Sequence, residues 1–400
     1  MKFCCECVVH SSLKKLIIAS GTNILRCRIC GAFDTKATKI FSSRFRKTFR
    51  TLIRYYYSEW DYHGALGGSD IRDIFIDGNP ILKSGGSMNE DRVWSYVADL
   101  TDPLIVDESK DINLLTAYGR DIYDCHPLEA LEVKTHPFLV HISNELRQRN
   151  YFLLEDQVRS LIKPLLPKVE RIVDIGETFF RARIGYVERA KLPEVTSQLR
   201  CHYKPFIGDD IGAPQPHISK SGRLNRAGVS FLYVTTNIET AIAEVRPHPG
   251  QQVTIGKFIV KRPLKVADFN EINFPIFAVN EDSLHSLHSV AAINRYLNEP
   301  ITPERQSLYS LPQLLADVIR KEGYDAVMCN SSVSNGINVT AFDPTSLEYL
   351  DLSSNVYQVK EVLYKFTSES NIDDDIQYEA RQKYSELDWP TESFNITTET

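Results

Sequence analysis

The stretch SGRLNRAGVSFLYVTTNIETAIAEVRPHPG, Ser221 to Gly250, decides how the second half of the chain reads. Its run VSFLYVTT alternates as a β-strand does, and Thr236 with Glu239 three residues on forms a capping-box pattern that starts a short helix. Glu244 falls on that helix within one turn of Thr240 and Ala241, small neighbours that let a carboxylate face a cleft. Burying a carboxylate in so apolar a segment is costly without partners, and Arg246 points elsewhere on a helix. The partners must come from distant sequence: Arg181 in FFRAR, Arg223 in GRLN, or Ser331 and Ser332 in CNSSVSNGIN. Two arginines, a glutamate and serines suit a polar anionic ligand. Guanidinium forks match phosphate oxygens, and a carboxylate can stabilise a cationic, ribose-like transition state.

Around this stretch lie further β-rich runs, TFFRARIGYV, VTIGKFIV and PLKVADF, interspersed with helical patterns near Thr240, Ala291 and Leu315. The mixture predicts an antiparallel-looking α+β domain. No strand leads into a glycine-rich dinucleotide fingerprint, which removes a Rossmann reading. The texture changes after KPLLPK, so the expected division is 1–35, 36–166, 167–350 and 351–400. The last piece turns acidic from about Thr367, with Asp373, Asp374 and Asp375 adjacent, and reads as loosely ordered.

At 400 residues, with 42% hydrophobic and 24% charged residues, the chain can bury a large core, and its net charge of −6 does not announce a nucleic-acid binder. No apolar run approaches the roughly 20 residues of a membrane span, and the start MKFCCECVVHSS lacks the apolar stretch of a signal sequence; a cytoplasmic protein with no membrane role is expected.

Cys4 and Cys7 form one C-x-x-C and Cys27 and Cys30 another, with about 19 residues between the pairs, close to the spacing of a four-thiolate structural zinc site. Gly31 follows the second pair, where a knuckle needs positive φ. Cys5 and His10 are spare candidates, and Cys125, Cys201 and Cys329 stand isolated. From Ser42 to Tyr57 the residues Phe45, Phe49, Leu52, Ile53 and Tyr56 recur at helical spacing. The other face of that helix carries Arg44, Arg46, Lys47, Arg50 and Arg54, read as a solvated face or as a surface for nucleic acid. Helical patterns also cover about Asp91–Leu100 and Pro137–Leu165, so the first 166 residues read as a zinc knuckle plus helices. Arg120 and His126 fit only loosely the spacing of ribonucleases built on HEPN helices.

Taken in order, FFRAR, GRLNRAGVSFLYVTTNIETAIAEVR and LADVIRKEGYDAVMCNSSVSNGINVTAFDP resemble the RES domain, a family named for its arginine, glutamate and serine. The resemblance spans roughly residues 168 to 345, and the helices before it resemble the HEPN/RES amino-terminal extension. It implies an ADP-ribosyltransferase-like fold that consumes NAD by phosphorolysis or hydrolysis, frequently as the toxin of a toxin–antitoxin pair. By position, Arg181 and Arg223 correspond to arginines holding the NAD pyrophosphate or an incoming phosphate, and Tyr233 to the aromatic beside the nicotinamide. Glu244 matches the family glutamate and Ser331 the family serine, with Ser332 its alternative. Asn225 is a further ligand-binding candidate, although it equally suits the turn before the strand. Ala326, Asn330 and Leu224 depart from the glycine, proline and aromatic usual at their positions.

The leading expectation is an NAD phosphorylase or glycohydrolase whose partners are NAD, phosphate, a cognate antitoxin or regulator, and a second copy of itself. The rivals are an ADP-ribosyltransferase modifying a macromolecule, and a non-catalytic zinc protein binding nucleic acid or a partner.

Overall fold

In the computed structural model the described residues are 1–76, 79–102, 111–115, 127–191, 201–301 and 303–363. Arg120, Cys125, His126 and the acidic tail lie outside them.

The chain opens with β1 (Lys2–Cys4), α1 (Ser11–Ser20), β2 (Thr22–Arg26) and β3 (Phe33–Lys39). These strands form an antiparallel sheet in the order β1-β3-β2. A knuckle plus helices was the expectation; the strands escaped notice because FDTKATK buries only Thr35, Ala37 and Thr38 and otherwise faces water. Next come α2 (Ser43–Tyr56), α3 (Glu59–Tyr62), α4 (Glu90–Thr101), α5 (Pro137–Glu145) and α6 (Glu155–Ile162). The single pattern over 137–165 thus resolves into two helices with a 3-10 turn at Tyr151–Leu153 between them.

Helix α2 buries Phe45, Phe49, Leu52 and Ile53 as its spacing predicts, but its basic face is corrected by the structure. Arg50 is fully buried, donating to the carbonyls of Leu100, Asp102 and Ile112. Arg54 donates to the Asn113 carbonyl and to Glu281 at 2.6 Å, Arg46 pairs with Asp111 at 2.5 Å, and Lys47 donates to the Val279 carbonyl. Only Arg44 keeps the exposure expected of a solvated face. The cause is the segment ending at 102 and resuming at 111, whose carbonyls have no strand or helix partner and take guanidinium donors instead.

The second half contributes β4 (Glu170–Val173), β5 (Thr178–Ile184), β6 (Glu188–Lys191), β7 (Cys201–Lys204), β8 (Leu232–Thr235), α7 (Ile238–Glu244), β9 (Gln252–Val260) and β10 (Leu264–Asp268). After these follow α8 (Phe274–Phe277), α9 (Glu281–Asn298), α10 (Ser310–Lys321), β11 (Ala326–Asn330), β12 (Ile337–Ala341), β13 (Leu347–Tyr349) and β14 (Asn355–Gln358). The main sheet runs β13-β9-β5-β8-β12-β11-β10-β4, with β14 also on β9. It is antiparallel except for β10 and β11, which the sequence reading did not anticipate. A parallel pair needs a long crossover, and here α8, α9 and α10 supply it, which sets them against one face of the sheet.

Those helices are covered in turn by the first half. One apolar cluster takes in Phe45, Leu52, Val97, Ile142 and Val158 from the first half with Leu287, Ile293, Leu315 and Phe342 from the second. The opposite face packs separately around Phe179, Val234, Phe258, Met328 and Val339.

Two histidines meet at the junction, with His136 and His288 rings 4.8 Å apart. His136 caps α5 by accepting from Leu139 N and contacts Ser289 Oγ at 3.1 Å, while His288 contacts the Lys134 carbonyl. Burial first, and then the neighbouring His288, push His136 down to about 4; burial likewise lowers His288. Between the ordinary 6.5 and about 4 the unfolded chain therefore binds more protons than the folded one. Stability from this pair is present above pH 6.5 and drains away as the pH falls toward 4. Calorimetric melts across that window should show a shallower decline for a His136→Asn, His288→Asn double variant, since asparagine can still cap α5. An identical slope in both proteins would remove the pair from the pH response.

Candidate functional site

Strand β5 pairs β9 from Thr178 to Ile184, and β8 pairs β12 from Leu232 to Thr235. Among the described residues β5 and β8 themselves meet only at Phe180 and Thr235, so the sheet forks between them. At the fork Arg181 Nη1 donates to the Tyr233 carbonyl at 2.8 Å, so a side chain occupies a main-chain acceptor that β5 leaves unpaired. A cavity of about 300 Å3 opens here, lined by β5, β8, β12 and α7.

Arg181, Arg223, Tyr233 and Glu244 all line this cavity, drawn from positions far apart in sequence. Burial pushes the Arg181 guanidinium down to about 10, so it stays cationic at neutral pH. Neither Arg181 nor Arg223 has an ion-pair partner among the described residues, which leaves both charges for a ligand. Arg223 is fixed from behind, donating from Nη1 to the Leu297 carbonyl in the last turn of α9 at 3.1 Å. That carbonyl belongs to the helix end, where intrahelical donors run out.

The loop carrying Arg223 is pinned at several points. Gln313 Nε2 on α10 donates to Ser221 Oγ and to the carbonyls of Gly222 and Asn225. Asn225 donates from Nδ2 to the carbonyls of Lys220, Arg226 and Val229, and its Oδ1 accepts the Tyr233 hydroxyl at 2.7 Å. A Cβ on Gly222 would lie 2.4 Å from Asn225 Oδ1, so only glycine permits this closeness. Asn225 is thus buried behind the cavity with both polar ends engaged, and it is not brought to the lining expected of a ligand-binding candidate. The Tyr233 hydroxyl is likewise taken, accepting from Leu224 N while donating to Asn225, and burial raises its pKa.

Glu244 closes α7. The cap of that helix is Asn237, whose side chain accepts from Thr240 N, and not Thr236 as the capping-box pattern had it; Thr236 Oγ1 accepts from Ile337 N instead. Of the partners considered for Glu244, Ser331 is the one in place: its Oγ donates to Glu244 Oε1 at 2.7 Å. The second donor, Asn338 Nδ2 at 2.6 Å on the same oxygen, was missed. Its signal was an asparagine, poorly suited to strands, between Ile337 and Val339 of an otherwise regular strand. Ser331 lies in a loop closed by Ser331 N on the Gly336 carbonyl and seated on α7 through Thr240 Oγ1 to Ser334 Oγ at 3.0 Å. A Cβ on Gly336 would fall 2.2 Å from Thr240 Oγ1. Ser332 is half-buried beside it but does not line the cavity. Cys329, read as isolated, does line it, and burial pushes its thiol up to about 12.

A second candidate site lies in the first half. The sulfurs of Cys4, Cys7, Cys27 and Cys30 all lie within 4.8 Å of one another, an arrangement that could hold a metal ion. The Cys4–Cys7, Cys4–Cys30 and Cys7–Cys27 sulfur pairs are 3.4 to 3.5 Å apart, near the roughly 3.8 Å edge of a tetrahedron with metal–sulfur bonds of about 2.3 Å. Ile29 N points at Cys27 Sγ and Gly31 takes φ 75°, the inward-turned amide and positive φ a knuckle requires. The spare candidates stand apart: Cys5 contacts Thr35 Oγ1, and His10 caps α1 and contacts the Tyr56 hydroxyl.

Residues 191–356 match the family model described as the RES domain. The match starts after β4 and β5, although both strands belong to the same sheet. Among solved structures, a chain in the crystal structure of the M. tuberculosis MbcT-MbcA toxin-antitoxin complex matches at 11% identity and a TM-score of 0.30, covering 51% of this chain and 92% of that one. No curated protein matches.

Proposed function

We propose that the RES domain carried by this chain cleaves the nicotinamide–ribose bond of NAD, with phosphate or water as the acceptor. The observation that carries this reading is the convergence of Arg181, Arg223, Tyr233 and Glu244 on one cavity. At about 300 Å3 it sits at the low end of small-molecule clefts, which suits one end of a dinucleotide better than the whole.

The two unpaired guanidiniums hold pyrophosphate or acceptor phosphate. The Tyr233 ring offers a flat face to the nicotinamide. As the bond from ribose C1″ to the pyridinium nitrogen breaks, its electron pair stays on nitrogen, nicotinamide leaves neutral, and positive charge develops on the ribose. Glu244 stabilises that charge, its carboxylate oriented in advance by the donors on Oε1 so that little rearrangement is needed during reaction. An acceptor oxygen then bonds to C1″ and loses its proton to solvent. Ser331 acts in this scheme by holding Glu244. The family resemblance supports a toxin with a cognate antitoxin as its biological setting.

Purified protein given NAD, with and without phosphate, should release nicotinamide together with ADP-ribose or its 1″-phosphate, identified by mass. Glu244→Gln should lower kcat/KM by about 100-fold or more, the scale of one charge-stabilising group, with the melting temperature nearly unchanged. Label from NAD appearing on a macromolecule would favour the ADP-ribosyltransferase reading, and wild-type protein that leaves NAD intact would end the proposal.

The four cysteines would hold a structural zinc ion, joining strands too polar to build a core of their own. Elemental analysis should find about one zinc per chain; a Cys27→Ser variant or chelator treatment should unfold the β1-β3-β2 sheet. Protein that contains no zinc and melts unchanged in chelator would reduce the cluster to free thiols.

A second reading, binding of single-stranded nucleic acid, is favoured by one surface. With Arg50 and Arg54 of α2 buried and Arg46 paired with Asp111, exposed basic residues gather at the knuckle, where Arg26, Arg28 and Arg92 line a groove that no described carboxylate enters. Beside it Phe33 is 66% exposed, with the Arg26 guanidinium 5.2 Å above its ring. Arginines and an open aromatic face suit a phosphate backbone and a stacked base. Binding of a labelled oligonucleotide should weaken with salt, and the Arg26→Ala, Arg28→Ala, Arg92→Ala variant should reduce the log–log slope by about 2. Equal slopes would dismiss this surface.

A further inference from the structure

Arg223 rides on a tight loop that is closed by a residue from outside the cavity. Gly222 N donates to the Asn225 carbonyl at 2.9 Å, so the residues flanking Arg223 and Leu224 face each other across the turn. The carbonyls of both accept from one nitrogen, Gln313 Nε2, at 2.8 Å for Gly222 and 3.0 Å for Asn225, and Ser221 Oγ lies 3.0 Å from the same atom. Gln313 is buried and does not line the cavity. On the cavity side, Leu224 N donates to the Tyr233 hydroxyl at 3.2 Å, and the Arg223 guanidinium donates at 3.1 Å to the carbonyl of Leu297, which is itself a lining residue.

The mounting of Gln313 is rigid. Helix α10 buries Leu311, Leu314, Leu315 and Val318 in the core shared with the first half. Its far end is tied down by Lys321 to Glu155 at 2.6 Å and, just past the helix, by Glu322 to Arg159. A side chain locked by packing on such an element holds its hydrogen-bond partners to a close tolerance.

Among the described residues the Gly222 carbonyl has no donor other than Gln313, whereas the Asn225 carbonyl would keep Gly222 N. An apolar side chain of similar length at 313 strands the Gly222 carbonyl, and the loop relieves it by turning toward water. Arg223 follows Gly222 directly in the chain, so its guanidinium is carried off the Leu297 carbonyl and away from the cavity wall. Arg181 stays in place, because its anchor is the Tyr233 carbonyl on β8.

We infer that Gln313 is a positioning residue for anion binding: from outside the cavity it holds the Arg223 loop in the arrangement that presents the guanidinium to the phosphate groups of the ligand. This rests on the NAD reading above and adds the residue that sets the affinity for the anionic part of the substrate. A guanidinium that grips those phosphates equally in ground and transition states contributes to binding and not to the chemical step, so its displacement raises KM and spares kcat.

The test uses full-length protein and two readouts, nicotinamide release from NAD and calorimetric binding of inorganic pyrophosphate. Gln313→Met should raise KM for NAD and Kd for pyrophosphate by about 10-fold each, with kcat within about 2-fold of wild type. Arg223→Ala should raise the same two constants, and adding Gln313→Met to it should change neither one further, the non-additivity of residues that act through one contact. Unchanged constants in Gln313→Met, a fall in kcat at constant KM, or an effect that adds in full to that of Arg223→Ala would each reduce the glutamine to a structural role and overturn the inference. Gln313→Glu, of the same shape without the amide donors, repeats the cycle should the methionine variant fail to fold. In a protein that releases no nicotinamide the pyrophosphate cycle still reads the role of Gln313, and non-additivity there sustains it while the cleavage reading alone falls. A wild-type protein that binds neither NAD nor pyrophosphate overturns both.

Discussion

The site depends on the parting of two neighbouring strands. Had β5 and β8 zipped along their length, their facing main-chain groups would have paired with each other and left no opening. Instead they touch at Phe180 and Thr235, and Arg181 takes the Tyr233 carbonyl that the ladder gives up. One contact thereby satisfies a backbone acceptor and fixes a buried cation at the cavity wall. The cation is tolerable there because four of its five donors remain for solvent or ligand beyond the one used on Tyr233, and because Glu244 lies across the same cavity.

Much of this was legible in the sequence. The strands around FFRAR, FLYVTT, VTIGKFIV and LKVAD, the helices at Ala291 and Leu315, and the cysteine pairs all stand where alternation, helical spacing and C-x-x-C spacing place them. Arg181 and Arg223 could be singled out as candidate distant partners for Glu244 from the residues themselves, while Tyr233 followed from family resemblance, because periodicity cannot say which distant strands become neighbours. Asn338 was hidden because its neighbours read as strand, and Asn225 misled because a polar residue in a loop looks alike whether it faces ligand or backbone.

The arginines of α2 show a different limit. Sequence gives the charge and the face, but whether that face meets water depends on what lies opposite. Here it meets carbonyls of the segments around Asp102 and Ile112, and Arg50 satisfies three of them. A helix that reads as a polyelectrolyte surface works as internal scaffolding. The capping error at Thr236 is similar in kind: adjacent threonine and asparagine both qualify as caps, and the bond from Ile337 N to Thr236 decides between them.

Helix α9 ties the two halves together. Its Leu297 carbonyl holds Arg223, while Glu281 at its start receives Arg54 and Asn113 N, and Arg295 donates to carbonyls of residues 132 to 134. Leu287, Val290, Ile293 and Leu297 along it are fully buried in the core shared with the first half. Truncation at the sequence-level border near 167 would therefore unroof a greasy stripe and slacken the mounting of Arg223 in the same stroke. The amino-terminal half is, in mechanical terms, the back plate against which the anion-binding arm is bolted.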